Sequence, residues 1–106
     1  EEDRHDANYT LLRANRAVLG KSSLEITELP MPRPVVFEGQ RLPASYANFL
    51  ICNKVVLVPV FNDVADVKAL KILETCFPKH TVVPIYARDL VWGLGTIHCL
   101  SQQQPV

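Results

Sequence analysis

Two apolar runs separated by only two polar residues constrain this chain more than any other feature of its sequence. Residues 49–52 and 55–60 are apolar throughout, and Asn53 and Lys54 lie between them. Short apolar runs of this length are typical of buried strands. Because asparagine tolerates a positive φ, it suits a tight turn between paired strands. The sequence therefore predicts a β-hairpin here.

A helix and a third strand are predicted directly after this hairpin. An apolar face with helical spacing is formed by Val67, Leu70, Leu73 and Phe77. We interpret Asp63 or Asp66 as the N-cap of this helix, and Pro78 as its end. Residues 81–86 then form another apolar run. The order strand, strand, helix, strand defines an α/β unit.

The segments before this unit carry weaker patterns. Apolar residues recur at helical spacing over residues 6–19, with Asp6 as a cap and Gly20 at the end, which predicts a helix. Residues 24–29 alternate apolar and polar side chains, which is typical of a half-buried strand. Four prolines between residues 30 and 43 predict an extended surface segment, with an interdomain linker as the alternative.

Composition narrows the class of protein. The 106 residues suffice for at most one small domain, and 48% of them are apolar, which is enough for a core. The 11 basic and 11 acidic residues balance, so the sequence indicates neither nucleic acid nor a membrane surface as a partner. No apolar run approaches the roughly 20 residues of a membrane span. The chain begins at Glu1 without a methionine, and we expect it to be part of a longer protein.

The cysteines favour a reducing environment. Cys52, Cys76 and Cys99 are odd in number and lack C-x-x-C spacing, so we expect free thiols and a cytoplasmic location rather than a disulfide framework. Neither the cysteines nor the scattered histidines have metal-ligand spacing, and no glycine-rich phosphate loop is present. We therefore expect no metal and no cofactor.

A candidate nucleophile lies near the C-terminal end. A second α/β unit is predicted to begin near Leu90, with residues 97–100 as a strand. Gly93 and Gly95 precede Cys99, and glycine lets the backbone approach a ligand closely or take a positive φ. A cysteine in such a partly exposed position is an effective nucleophile. A buried cysteine that packs as a small apolar residue is the alternative.

Four stretches of the sequence resemble one known family. The segment Gly93-Leu-Gly-Thr-Ile-His-Cys-Leu-Ser-Gln-Gln-Gln-Pro105 is similar to the nucleophile motif Gly-Gly-Gly-x-Ile-His-Cys-x-Thr-Gln-Gln-x-Pro of agmatine deiminases and the related Porphyromonas-type peptidylarginine deiminases. A second motif resembles Arg41-Leu-Pro-Ala-Ser-Tyr-Ala-Asn-Phe-Leu50, a third resembles Val58-Pro-Val-Phe-Asn-Asp-Val-Ala-Asp66, and Leu24-Glu-Ile-Thr-Glu-Leu-Pro-Met-Pro32 also fits the family. The first stretch departs from its motif at Leu94, Thr96 and Ser101, and Leu94 replaces the central glycine beside the nucleophile.

The resemblance implies a fold. Its members form a pentein-type α/β-propeller, in which five strand–strand–helix–strand units surround a channel. This chain would supply about two of the five units, and residues 1–106 would be the C-terminal part of a single catalytic domain. A repeat buries its faces against its neighbours, so the remainder of that domain is the expected partner. The sequence also leaves open whether the protein forms a homodimer.

The resemblance also implies an activity. Cys99 would attack the guanidinium carbon of agmatine and give N-carbamoylputrescine and ammonia through a covalent thiouronium intermediate. Asn48, Gly93 and Gly95 are the expected substrate-binding residues, with ordinary turn roles as the alternative for all three. Deimination of peptidylarginine is an alternative activity that the resemblance allows. A non-catalytic binding module of the same fold is a further alternative, because the family's Gly-His-x-Asp acid/base motif does not occur in this sequence.

Four further residues in or near these motifs are not interpreted as catalytic. His98 is adjacent to Cys99, and successive side chains of a strand point to opposite faces, so we do not expect the two to exchange a proton. Asp63 and Asp66 are interpreted as helix caps rather than guanidinium ligands. Trp92 is interpreted as a packing residue.

Overall fold

A computed structural model describes residues 7–104, which form a mixed α/β fold; the predicted cap Asp6 lies outside them. Within this range the elements follow in the order α1 (Ala7–Leu19), β1 (Val35–Phe37), β2 (Gln40–Leu42), β3 (Leu50–Ile51), β4 (Val55–Val60), α2 (Asp66–Cys76), β5 (Thr81–Tyr86) and a 3₁₀ helix (Leu90–Gly93). The predicted first helix is confirmed, and it ends at Gly20, whose N–H donates to the carbonyl of Arg16 at 2.8 Å.

The strand–strand–helix–strand unit is confirmed. Strand β3 pairs antiparallel with β4 and places Leu50 opposite Leu57, and the N–H of Cys52 donates to the carbonyl of Val55 at 2.8 Å to close the hairpin. After α2, strand β5 pairs in parallel with β4 along its whole length. The result is a three-stranded sheet in the order β3-β4-β5.

The proline-rich segment contains a hairpin that was not predicted. Strands β1 and β2 pair antiparallel, and the turn residues Glu38 and Gly39 have φ values of 48° and 77°. Two consecutive residues with positive φ give the turn twist that suits a two-residue hairpin. The expectation of an extended loop was wrong here because Pro34 and Pro43 flank the two strands and remove no hydrogen bond between them.

Two predicted strands are wrong. Residues 24–29 form no strand, since no described strand lies beside them and alternation alone supplies no hydrogen-bond partner. Residues 97–100 form a turn in which the N–H of Leu100 donates to the carbonyl of Thr96 at 3.0 Å. The described residues thus contain one complete α/β unit rather than two. Both of their sheets are open, so the propeller stays a prediction.

Helix α2 joins the two apolar clusters of the core. Ala69 belongs to the first cluster, and Leu73 belongs to the second. The two residues are four positions apart and therefore lie on one helix face. The first cluster contains Val35, Leu42, Ala44, Tyr46, Phe61, Ala69, Ala87 and Val91, and the second contains Val56, Val58 and Leu73.

Two carboxylates organise the loop before α2. Asp66 accepts hydrogen bonds from the Tyr46 hydroxyl at 2.6 Å, the Phe61 N–H at 3.2 Å and the Asp63 N–H at 3.0 Å. The N-cap residue is Ala65, without a side-chain cap bond. The prediction that Asp63 or Asp66 is the N-cap was therefore wrong, because both carboxylates bind groups that precede the helix.

Asp63 is paired with an arginine of this chain. The Arg33 Nε–H donates to its carboxylate at 2.8 Å, and the Ala65 N–H donates at 2.9 Å. The Arg33 hydrogen bond, followed by that from Ala65, holds the pKa of Asp63 below its ordinary value. Burial, together with the hydrogen bond to the Asp66 carboxylate, raises the pKa of Tyr46. Tyr46 therefore stays a neutral donor to Asp66.

None of the helices within residues 7–104 combines the length and the apolar character that crossing a bilayer requires.

We predict that Tyr46→Phe destabilises the full-length protein by about 1.5–3 kcal/mol, because it removes a partly buried hydrogen bond to a carboxylate. Tyr46 is fully buried. The free energy of unfolding is measured by urea denaturation. Tyr86→Phe is the matched control, since Tyr86 is 48% exposed and its change is expected to stay within about 0.5 kcal/mol. Equal effects of the two substitutions would contradict the role given to the Tyr46–Asp66 bond.

Candidate active site

Cys99 lies in a tight turn that follows the 3₁₀ helix. Leu94 ends that helix in the left-handed conformation, with φ of 64°, and its side chain is 68% exposed. Gly95 and Thr96 are buried, and the chain then turns over residues 96–100. Cys99 is exposed on this turn. Within residues 7–104 Cys99 is therefore not packed as a buried apolar residue, and its role as the nucleophile stays a prediction.

Asn48 holds this turn through three hydrogen bonds. Its side-chain Nδ2–H donates to Cys99 Sγ at 2.8 Å, and its Oδ1 accepts from the Cys99 backbone N–H at 3.1 Å. Its backbone carbonyl accepts from the His98 N–H at 3.2 Å. Asn48 lies immediately before Phe49 and β3. The nucleophile candidate is thus tied to the start of the three-stranded sheet.

The two glycines of the motif have different surroundings. A Cβ added at Gly95 would lie 2.8 Å from Cys99 Sγ and closer still to its Cβ. A Cβ at Gly93 would meet no atom within 4 Å. Neither glycine has a positive φ; the left-handed position is Leu94. Gly95 is therefore needed for the close approach to Cys99, and the substrate-binding roles of both glycines stay predictions.

The side chains near Cys99 in the sequence differ in how well the structure agrees with their predicted roles. His98 is exposed, and the argument that set it aside was wrong, because residues 97–100 form a turn and strand alternation does not apply. Trp92 stacks on Phe37 with ring centroids 3.6 Å apart, which places the β1–β2 hairpin against the 3₁₀ helix. Thr96 is fully buried, and its hydroxyl has no hydrogen-bond partner within residues 7–104.

The structure brings together Cys99 and Asn48, which are 51 positions apart in the sequence. Both were candidate site residues, but Asn48 was expected to face the substrate. Sequence reasoning missed their contact, since no periodicity links a strand start to a distant turn. The position of Asn48 within a motif was the one available signal.

The described residues do not enclose Cys99. Two surface clefts, of about 310 and 420 Å³, are lined by other residues, among them Arg33 and Asp63 in the first and Glu25 and Cys76 in the second. Over residues 7–104 no three His, Cys, Asp or Glu side chains cluster in a way that could hold a metal ion. The arrangement is therefore an exposed thiol that accepts a hydrogen bond from an amide.

The described residues thus contain an α/β unit and, after it, an exposed cysteine on a turn that follows Gly95. The sequence matches the Porphyromonas-type peptidyl-arginine deiminase family over residues 1–105. The chain therefore belongs to this family.

Individual relatives agree with this assignment. A protein of Marinomonas sp. (strain MWYL1) is 38% identical over 127 aligned positions, which cover 98% of this chain and 34% of that protein. The agmatine deiminase of Stutzerimonas stutzeri (strain A1501) is 35% identical, with 98% of this chain and 35% of the relative covered. The chain thus spans about a third of the length of these relatives.

Solved structures share the fold. The C. jejuni agmatine deiminase with substrate bound, a cysteine-to-serine variant, superimposes with a TM-score of 0.83 and 34% identity, covering 92% of this chain and 29% of that one. The Enterococcus faecalis agmatine deiminase superimposes with a TM-score of 0.84 and 28% identity, covering 99% of this chain and 35% of that one. The mixed α/β fold is therefore that of agmatine deiminase structures.

We predict that Gly95→Ala destabilises the full-length protein by about 1–3 kcal/mol, because the new methyl group collides with Cys99 and the turn has to move. Gly93→Ala is the matched control, since its added Cβ meets open space. Urea denaturation of both variants measures the difference. A Gly95→Ala protein as stable as Gly93→Ala would show that the close approach to Cys99 is not a constraint.

Proposed function

We propose that this chain supplies the nucleophile of an agmatine deiminase, which hydrolyses the guanidinium of agmatine to N-carbamoylputrescine and ammonia. The observation that carries the proposal is the exposed Cys99, whose sulfur accepts the Asn48 amide N–H, in a chain of a deiminase family. Agmatine is preferred as the substrate because the Stutzerimonas stutzeri relative and the C. jejuni and Enterococcus faecalis structures, each of which matches nearly the whole chain, are agmatine deiminases.

The chemistry requires a strong nucleophile. A guanidinium is stabilised by delocalisation, and water attacks it slowly, whereas a thiolate is an effective nucleophile. A cationic substrate next to Cys99 favours the thiolate, since an opposite charge within about 4–6 Å stabilises the anion. The substrate thereby helps to activate the nucleophile.

The reaction proceeds in two covalent steps. The Cys99 thiolate forms an S–C bond to the guanidinium carbon, a proton is delivered to one terminal nitrogen, and the C–N bond to that nitrogen breaks as ammonia leaves. The alkyl thiouronium that remains is attacked by water, which loses its protons as the S–C bond breaks. The products are a ureido group and the regenerated thiol, without any change of oxidation state.

This chain contributes only part of the machinery. Within residues 7–104 the side chain that hydrogen-bonds Cys99 Sγ is the Asn48 amide, which does not ionise near neutral pH and so cannot act as a general acid or base. The carboxylates Asp63 and Asp66 already bind Arg33 and Tyr46. The family's Gly-His-x-Asp motif does not occur in this sequence. We therefore assign the acid/base histidine and the guanidinium ligands to the remainder of the catalytic domain, and we expect this chain alone to be inactive.

The exposed apolar surface of α1 is consistent with contact to the remainder of the catalytic domain. All residues of α1 from position 10 to 19 are exposed, including the apolar Leu11, Leu12, Val18 and Leu19. A 13-residue helix is marginal in water unless an apolar face is covered. We assign the covering to the remainder of a pentein propeller. The three cysteines are free, which fits a cytoplasmic enzyme.

We predict that Cys99→Ala in the full-length protein lowers ammonia release from agmatine by about three orders of magnitude or more, as expected for loss of a covalent nucleophile. Ammonia is measured with a coupled spectrophotometric assay. Cys76→Ala is the control, because Cys76 is an exposed cysteine at the end of α2, and it should keep nearly full activity. Activity that survives in Cys99→Ala would exclude this nucleophile.

The same assay separates the alternatives. The family's description favours peptidylarginine as the second candidate substrate, so a blocked arginine peptide is assayed beside agmatine. A higher kcat/KM for the peptide than for agmatine would show that peptidylarginine is the preferred substrate. Absence of turnover with both substrates would favour the non-catalytic module.

A further inference from the structure

The orientation of the Asn48 side chain is fixed by its partners. The Cys99 backbone N–H can only donate, so the amide oxygen must face it, at 3.1 Å. The NH₂ group is thereby directed at Cys99 Sγ, 2.8 Å away. The carbonyl of Asn48 also binds the next N–H, that of His98, at 3.2 Å. One residue thus holds both the backbone and the sulfur of the nucleophile candidate.

An amide in this place has a specific chemical effect. Its N–H donates to the sulfur, and a donor stabilises a thiolate more strongly than a neutral thiol, since hydrogen bonds to ionised groups are about twice as strong. The amide itself is uncharged, so it does not repel a cationic guanidinium. It has no titrating proton near neutral pH, so it leaves proton transfer to other groups.

We propose that Asn48 is a positioning residue for the nucleophile, which fixes Cys99 Sγ and favours its thiolate form. This inference rests on the proposed role of Cys99. It adds to the substrate contact expected from the sequence, which stays a prediction, because the NH₂ group has a second N–H besides the one that donates to Cys99 Sγ. Asn48 acts on the reaction through Cys99.

The test is the pH dependence of Cys99 alkylation in the full-length protein, which needs no turnover. Iodoacetamide reacts with thiolates, and trypsin places the three cysteines of this chain in different peptides, so mass spectrometry follows each rate separately. Asn48→Asp keeps the acceptor for the Cys99 N–H but sets a carboxylate oxygen against the sulfur. Asn48→Ala removes the donor without adding charge.

The expected midpoints of alkylation rise in the order wild type, Asn48→Ala, Asn48→Asp. The shift for Asn48→Asp is about one pH unit or more, which slows alkylation at pH 7 roughly tenfold, because a like charge at hydrogen-bond distance disfavours the thiolate. The profiles of Cys52 and Cys76 stay unchanged. Asn53→Asp, in the exposed β3–β4 turn, is the matched charge control and leaves Cys99 unchanged.

Identical midpoints for wild type and Asn48→Asp overturn the inference, as does an equal shift in Asn53→Asp. A second measurement uses the wild-type protein alone, so it does not depend on how the variants fold. With ¹⁵N-labelled asparagine, the Asn48 side-chain amide resonance should titrate with the same midpoint as Cys99 alkylation, and an amide that does not respond overturns the inference. Failure of the proposed function is a separate result, since it appears as ammonia release by Cys99→Ala.

Discussion

The contact between the Asn48 amide and Cys99 is the constraint on which the candidate site depends. The residue lies just before β3, whereas Cys99 lies on a turn that has no place in either sheet. Without the bonds to the Cys99 N–H and Sγ, the turn would be held mainly by its own local hydrogen bonds. A nucleophilic sulfur has to be positioned to within about 0.5 Å. Hydrogen bonds from the Cys99 turn to a residue next to the sheet therefore position the sulfur better than burial alone would.

The position of Asn48 is itself set by the core. Tyr46, two residues earlier, is fully buried in the first apolar cluster and donates to Asp66 at the start of α2. Asp66 in turn accepts the Phe61 N–H at the end of β4. The helix, the central strand and the segment that carries Asn48 are therefore fixed to one carboxylate.

Apolar periodicity predicted the two helices and the three-stranded unit correctly, whereas the N-cap of α2, the loop over residues 30–43 and the strands at 24–29 and 97–100 were predicted wrongly. The apolar runs around Asn53 and the helical face of α2 were sufficient for the central unit. Residues 24–29 alternate like a strand but lack a neighbour within residues 7–104, and residues 97–100 form a turn through their own hydrogen bonds. Cys99 could be proposed as the nucleophile because its motif is local. The Asn48–Cys99 contact spans 51 positions, and no period in the sequence signals it.

The central claim is that Cys99 forms a covalent bond to the guanidinium carbon of the substrate. It is tested most directly by quenching the full-length protein with acid during turnover of agmatine, then digesting it and weighing the peptide after Arg88, which contains Cys99. The account predicts a fraction of this peptide heavier by the mass of agmatine less ammonia, with the Cys52 and Cys76 peptides unmodified. Turnover without any adduct on Cys99, or an adduct on another cysteine, would contradict it.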